Sequence, residues 1–189
     1  MSNTIAGAVA FILGGVAGAL ALFVSQMPVA EKAAAPPERP VWTEVNWPFP
    51  MDPWGRGKAF RCSKANCGTE VKLYLRAKIG FCNCATGVAD DEELERLSDF
   101  HFAGKQLSAI GDGRAIAVAW MKGRSRAYAV AGADAPGRSA LSVAFNDRCD
   151  AIVATAVLGH DRPGTIEPSV LAFLNGSTVL RWAEITIGL

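Results

Sequence analysis

The uncharged segment at residues 5–24 constrains the fold of this chain more than any other feature. It holds twenty consecutive residues without Asp, Glu, Lys or Arg. A helix rises about 1.5 Å per residue, so this segment would extend for roughly 30 Å, the thickness of a bilayer's hydrocarbon core. A cleaved secretion signal is the alternative, since Ala19 and Ala21 match the small-x-small pattern of a signal-peptide cleavage site. Residues 1–4 lack the Lys or Arg with which such a signal begins, so we predict an uncleaved transmembrane helix.

Small residues recur at every fourth position of this segment. They are Ala6, Ala10, Gly14 and Gly18. This spacing lets two membrane helices approach closely enough for dispersion contacts and weak Cα–H bonds. The pattern predicts a helix-pairing seam in the membrane, and the alternative is that Ala and Gly are simply common in membrane helices.

The orientation of a membrane helix follows the Lys and Arg residues that flank it. The N-terminal side has none, and on the far side Lys32 and Arg39 are offset by Glu31 and Glu38, which weakly favours a cytoplasmic domain. The five tryptophans, the Ala/Pro-rich stretch and the clustered cysteines instead suit an exported domain in an oxidising compartment. We therefore expect a single-pass protein of the inner membrane with its soluble domain on the periplasmic side.

Composition along the chain divides it into five parts. They are a tail (residues 1–4), the predicted span (5–24), an Ala/Pro-rich tether (25–40), an aromatic and Pro-rich arm (41–60) and a globular domain (61–189). Prolines favour extended geometry in the tether. In the arm, Trp42, Trp47, Phe49 and Trp54 alternate with prolines, so we expect irregular structure. Its rings are predicted to pack on the following domain, the alternatives being the membrane boundary and a partner.

Periodicity within the domain predicts an α+β fold with a mainly antiparallel sheet and short helices. Residues 69–78 alternate apolar and polar side chains, which is typical of a strand with one buried face. The acidic run at 90–95 is typical of a helix start. Further strands are predicted at 114–121, 126–131 and 140–145, the first two joined as a hairpin around 122–125.

The C-terminal third predicts a short helix and a last strand. Residues 151–158 are apolar but fit either a strand or a helix. Pro168 suits the first turn of a helix that ends at Asn175 and Gly176. Residues 178–187 then predict the final strand.

Four cysteines flank the strand at 69–78 in two pairs. They are Cys62, Cys67, Cys82 and Cys84. If the chain folds back after the strand, the pairs meet and form either two disulfides or one tetrahedral zinc or copper site. In an oxidising compartment we prefer disulfides, each joining the first pair to the second. Cys149 is then the odd thiol, predicted to be a small buried residue, with a redox or metal thiolate beside Arg148 as the alternative.

The sequence gives little support for catalysis. Its two histidines, His101 and His160, have no diagnostic spacing from a nucleophile or carboxylate, and we interpret both as structural or surface groups. The motifs of serine hydrolases, zinc proteases, phosphate-binding loops and dinucleotide-binding domains are absent. We therefore lean against an enzyme and predict no catalytic residues and no cofactor.

Charge excludes one class of partner and leaves another open. The formal net charge is only +1, whereas a dedicated nucleic-acid binder carries a large excess of basic residues. Residues 56–78 hold seven basic side chains and one acid, a patch that anionic lipid head groups would attract. We favour the simpler interpretation that Lys72 and Arg76 lie on a solvated sheet face.

These features lead to two hypotheses of different classes. We expect a membrane-anchored accessory or assembly protein that acts by protein–protein contact at the membrane surface. Its partners would be membrane lipid and other membrane or envelope proteins, and no nucleic acid. The alternative is a tethered metal-binding or thiol-redox module that uses Cys62, Cys67, Cys82 and Cys84.

Overall fold

The computed structural model describes residues 40–80, 82–104, 106–131, 137–159 and 161–189. The predicted membrane helix, the seam at Ala6, Ala10, Gly14 and Gly18, and the tether up to residue 39 lie outside these ranges. None of the helices inside them has both the length and the apolar character needed to span a membrane.

The described residues form one antiparallel sheet with short helices. The strands are β1 (Thr43–Val45), β2 (Lys58–Cys62), β3 (Val71–Lys78), β4 (Gln106–Val118), β5 (Met121–Ala131), β6 (Ser139–Asp147) and β7 (Asp150–Leu158). The helices are α1 (Lys64–Cys67), α2 (Asp91–Leu97), α3 (Pro163–Leu174) and α4 (Ser177–Ile187), with a 3₁₀ turn at Phe100–Phe102. The strand order is β1-β2-β3-β7-β6-β5-β4, and every neighbouring pair is antiparallel. This confirms the predicted α+β class with a mainly antiparallel sheet.

The sheet separates two layers of covering structure. On the helix face, Leu73 and Leu75 of β3 belong to the same core cluster as Val170 of α3 and Val179 of α4. The opposite face, here called the arm face, is covered by α2, the 3₁₀ turn and the part of the arm at residues 46–54. The strand β3 is therefore covered on both faces, although its sequence predicts only one buried face.

Arg76 of β3 shows this difference most clearly, because it does not lie on a solvated face as expected. Its side chain is 1% exposed, and its guanidinium lies 4.6 Å from the ring centroid of Phe102. Its Nη1 donates to Oδ2 of Asp52 at 2.5 Å, and its Nε lies 3.5 Å from Oδ2 of Asp99. Asp99 also accepts a hydrogen bond of 2.9 Å from Nζ of Lys78. Carboxylates and rings thus replace water around the buried cation.

The arm is more regular than its proline content predicts. It contributes the short edge strand β1 and the first residues of β2. The predicted packing of its rings on the domain is confirmed: Trp42 stacks on Phe173 of α3 at a centroid distance of 5.0 Å. On the other face, Phe49 stacks on Phe102 at 4.0 Å and meets Tyr74 edge-on at 4.8 Å.

The predicted hairpin of β4 and β5 is present, but its turn lies elsewhere. Val118 pairs with Met121, so the chain reverses at Ala119 and Trp120 instead of residues 122–125. Gly123 remains inside β5, where an added Cβ would lie 2.1 Å from the carbonyl oxygen of Ala144 in β6. This glycine therefore permits a close approach of two strands and does not mark a turn.

The prediction of a strand at residues 178–187 is wrong, because all of these residues belong to α4. Its β-branched residues favour a strand when local propensity alone is considered. Val179, Ala183 and Ile187 recur at every fourth position and are buried. Packing of this helical face on the sheet outweighs the local propensity.

Of the remaining predictions, the strand at residues 140–145 and the helix start at 90–95 are confirmed, the start of the C-terminal helix is wrong, and the stretch left ambiguous is a strand. The ambiguous residues 151–158 form most of β7. Asp90 is the N-cap of α2 and its carboxylate accepts the N–H of Glu93 at 2.8 Å. Pro163 starts α3, so Pro168 lies inside this helix and not in its first turn.

Replacing Asp99 with alanine should lower the free energy of unfolding by about 3 kcal/mol or more, because two buried cations lose a carboxylate. The matched control is Glu92→Gln, which neutralises an exposed carboxylate of α2 and should cost less than about 1 kcal/mol. Urea unfolding followed by tryptophan fluorescence measures both values. A loss for Asp99→Ala no larger than that of the control would contradict the structural role of the cluster.

Candidate functional site

The four cysteines singled out by the sequence do not come together. Cys62 is bonded to Cys67, and Cys84 is bonded to Cys149. Cys82 keeps a buried thiol. Disulfides are therefore present, but the predicted bonds between the first and the second pair are wrong, and the odd thiol is Cys82 instead of Cys149.

The sheet register explains why the two pairs stay apart. Cys62 lies opposite Val71, whose partner on β7 is Leu158. Cys149 directly precedes Asp150 at the other end of β7. At about 3.3 Å per residue, the two ends of this strand are separated by roughly 25 Å. Zinc binds sulfur at about 2.3 Å, so this arrangement does not assemble the predicted zinc or copper site.

Other titratable side chains do not replace that site. In the part of the chain that the structure describes, no three His, Cys, Asp or Glu residues are grouped so as to hold a metal ion. His101 is exposed, and its ring lies 4.2 Å from that of Phe102 at the edge of the arm-face aromatic cluster. His160 lies outside the described residues.

A concave apolar surface lies on the helix face, between α4 and the strands β2 and β3. We call it the α4 groove. Phe60 and Leu75 form its floor, and Val179, Trp182 and Ile185 line it from α4. Its volume is about 320 Å³, within the range of small ligand-binding clefts, which are mostly apolar with a few polar groups.

Exposure changes steeply across this groove. The floor residues Phe60 and Leu75 are 4% and 0% exposed, whereas Ile185 at the mouth is 72% exposed. α4 turns Val179 and Ala183 to the core, which leaves Ile185 on its outward side. A large aliphatic side chain in solvent beside an apolar cleft is a feature of binding surfaces when it belongs to a contiguous patch.

The rim of the groove is polar and mostly basic. Lys58 and Glu44 form an ion pair of 2.5 Å, and Arg181 is the other charged residue of the lining. A second depression shares Trp182 with the groove and adds Arg56. The two depressions together thus present three cations and one carboxylate, a balance that attracts an acidic partner.

A strand edge runs beside the groove. β1 pairs with β2, and no other strand of the described residues pairs with β1. Glu44 in the middle of β1 lies opposite Phe60 in the register, and both line the groove. Backbone donors and acceptors on the outer side of an edge strand are available to an incoming strand.

Sequence reasoning misses this site because one wall is the helix that the sequence predicts as a strand. The signal that would have found it is the recurrence of Val179, Ala183 and Ile187 at every fourth residue. On a helix with that buried face, Trp182 and Ile185 lie at its flank and outward side.

Comparisons with known proteins give no family for this chain. No family model matches it, and no curated protein matches its sequence significantly. Among solved structures, it is similar to the cyanobacterial PsbP protein (CyanoP) from Synechocystis sp. PCC 6803, whose structure was determined in solution. The identity is 17%, the match covers 72% of this chain and 78% of that chain, and the TM-score is 0.42.

The two disulfides should contribute unequally to stability. Cys84 and Cys149 are 65 residues apart and Cys62 and Cys67 are 5 apart, so the chain-entropy relation gives about 4 and about 2 kcal/mol respectively. The double variants Cys84→Ser/Cys149→Ser and Cys62→Ser/Cys67→Ser, unfolded in urea, measure these losses. Equal losses, or a larger one for the short loop, would contradict the expectation.

Proposed function

We propose that this chain is a membrane-tethered accessory or assembly protein whose domain binds an apolar segment of a partner protein in the α4 groove. The observation that carries the proposal is the groove itself. A floor of buried Phe60 and Leu75 opens to solvent beside Ile185, which is 72% exposed. Covering this surface removes apolar area from water, which favours association by about 25 cal/mol per Å² before its entropic costs.

The shape of the surface favours a protein segment over a bilayer. The floor of the groove lies below its walls, since Phe60 and Leu75 are buried while Ile185 protrudes. A concave site accepts inserted side chains, whereas peripheral proteins that bind lipid insert their own apolar side chains into the membrane. The occupant we propose is therefore a peptide segment that supplies the apolar side chains.

The neighbouring strand edge favours an extended segment. A chain that pairs with the outer edge of β1 would place every second side chain on the helix face, which is the face of the groove. β4 also has a free edge among the described residues, but its pairing register with β5 shifts between Ile110 and Arg114. The α4 groove includes Glu44 of β1, so the β1 edge is the one that adjoins the groove.

Charge defines the expected chemistry of the segment further. Arg56, Lys58 and Arg181 lie around the two depressions with Glu44 as the one acid. Acidic residues that flank the apolar side chains of the partner would complement this rim and raise the association rate at low salt. The predicted partner motif is thus a short apolar run with Asp or Glu beside it.

Two features support the tethered, exported setting of this domain. The uncharged stretch at residues 5–24 has the length of a membrane span. The domain holds two disulfides, and such bonds persist in oxidising compartments and are rare in the cytosol. We propose the periplasmic side of the inner membrane as its location.

Photo-crosslinking in intact membranes tests the occupant of the groove. A photoreactive residue in place of Ile185 should yield an adduct with a different protein, and the same residue in place of Ile110 on β4 should not. Adducts with lipid, adducts with a second copy of this chain, or equal adducts at both positions would each overturn the proposed occupant. The peptide at the crosslink should be apolar with an acidic flank.

Ile185→Gln should weaken binding of the crosslinked partner peptide by about tenfold, because it removes an apolar contact worth roughly 1.4 kcal/mol. Ile185 is 72% exposed, so the free energy of unfolding should change by less than about 0.5 kcal/mol. The matched control is Ile110→Gln, at a position that is 50% exposed, which should leave the affinity unchanged. Titration calorimetry with both variants decides, and equal affinities for the two would contradict a role of the groove.

A further inference from the structure

Three cysteines meet at the turn between β6 and β7. The backbone N–H of Cys82 donates to the carbonyl oxygen of Cys149 at 3.2 Å. The thiol of Cys82 donates to the carbonyl oxygen of Arg148 at 3.2 Å, and this carbonyl belongs to the peptide bond that leads into Cys149. Cys84 is bonded to Cys149, so the free Cys82 thiol lies against the backbone of a residue that forms a disulfide with Cys84.

Cys82 and Cys84 differ sharply in exposure. Cys82 is 6% exposed, whereas Cys84 lies exposed to solvent. Whichever of the two is bonded to Cys149 leaves the other as the thiol. The choice of partner therefore decides whether the thiol of this domain is hidden in the protein or presented to solvent.

We propose that Cys149 exchanges its disulfide partner between Cys84 and Cys82, which makes this turn a thiol–disulfide exchange site. The Cys82 thiol loses its proton, and its thiolate attacks Sγ of Cys149. A Cys82–Cys149 bond forms as the Cys84–Cys149 bond breaks, and Cys84 leaves as a thiolate that takes up a proton. One disulfide and one thiol are present before and after, so the step requires no oxidant or reductant.

The exchanged form presents a nucleophile to other proteins. The Cys84 thiolate in solvent can attack an accessible protein disulfide, form a mixed disulfide with one of its sulfurs and release the other as a thiol. The substrate class of this site is therefore a protein disulfide. The cysteines at this turn and the lining of the α4 groove share no residue, so the exchange is independent of the proposed occupant of the groove.

The surroundings of Cys82 make the exchange slow at neutral pH. Burial raises the pKa of the Cys82 thiol, Glu93 of α2 and Asp150 of β7 raise it further, and Arg96 of α2 opposes them. Asp147 and Arg148 in the turn pair with each other at 3.1 Å. Because only the thiolate attacks, the rate should rise by about tenfold per pH unit below this pKa.

Alkylation of the full chain without reductant tests the exchange. After incubation with iodoacetamide between about pH 7 and pH 9, the tryptic peptide that holds Cys82 and Cys84 is sequenced by mass spectrometry. The label should lie on Cys84, with Cys82 bonded to Cys149. The rate of labelling should rise by about tenfold per pH unit below the pKa of the Cys82 thiol. Label on Cys82, or no label on either cysteine, would overturn the proposal.

Cys82→Ser is the matched control, because it removes the attacking thiol and keeps the Cys84–Cys149 bond. Cys84 of this variant should remain unlabelled, and an aromatic disulfide reagent that reacts stoichiometrically with the unaltered chain should not react. Label on Cys84 in Cys82→Ser would show that the bond opens without exchange and would overturn the mechanism.

Cys84→Ser tests whether the second bond fits the fold. Its oxidised form should contain a Cys82–Cys149 disulfide, seen as a linked peptide pair, with the far-UV circular dichroism of the unaltered chain. A folded variant with both thiols free would overturn the proposal. If this variant fails to fold, the label position in the unaltered chain still decides.

Discussion

The buried guanidinium of Arg76 fixes the arm to the sheet, and the rest of the architecture depends on this attachment. It lies against Phe102 and Trp47 and is paired with Asp52 of the arm and Asp99 beside the 3₁₀ turn. A cation in this position requires nearby carboxylates, because burial without them is costly. Asp52 belongs to the part of the arm that connects β1 to β2. Holding it in place therefore also positions the edge strand β1 at the rim of the α4 groove.

Much of the sheet follows from sequence patterns, and the exceptions have physical causes. Apolar and polar residues alternate along β3, and an acidic run with an N-cap begins α2. Both are local patterns that predict the element correctly, and packing stabilises the same structure. For α4, tertiary packing outweighs the propensity of β-branched residues. The burial of Arg76 was not predictable from alternation, because it depends on a covering segment that approaches from 24 residues away in sequence.

The pairing of the cysteines at the candidate sites could likewise not be predicted from the sequence. Spacing identifies which residues are candidates, but connectivity depends on the register of strands that are distant in sequence. Cys67 returns to Cys62 because the short helix α1 turns the chain back beside the end of β2, and Gly68 then ends α1 with a φ of 75°, a left-handed conformation that glycine adopts readily. Cys149 reaches Cys84 because the turn between β6 and β7 lies beside the loop that precedes α2. Neither relation is visible in the spacing of the cysteines alone.

The α4 groove combines the earliest and the latest elements of the described fold. Its floor and one rim come from β1, β2 and β3, and its wall comes from α4, which follows all seven strands. During synthesis on the ribosome, the first strands emerge well before this helix, so their apolar floor cannot yet form a cleft. Binding of the proposed partner in this groove would therefore require that α4 has been synthesised and has folded onto the sheet.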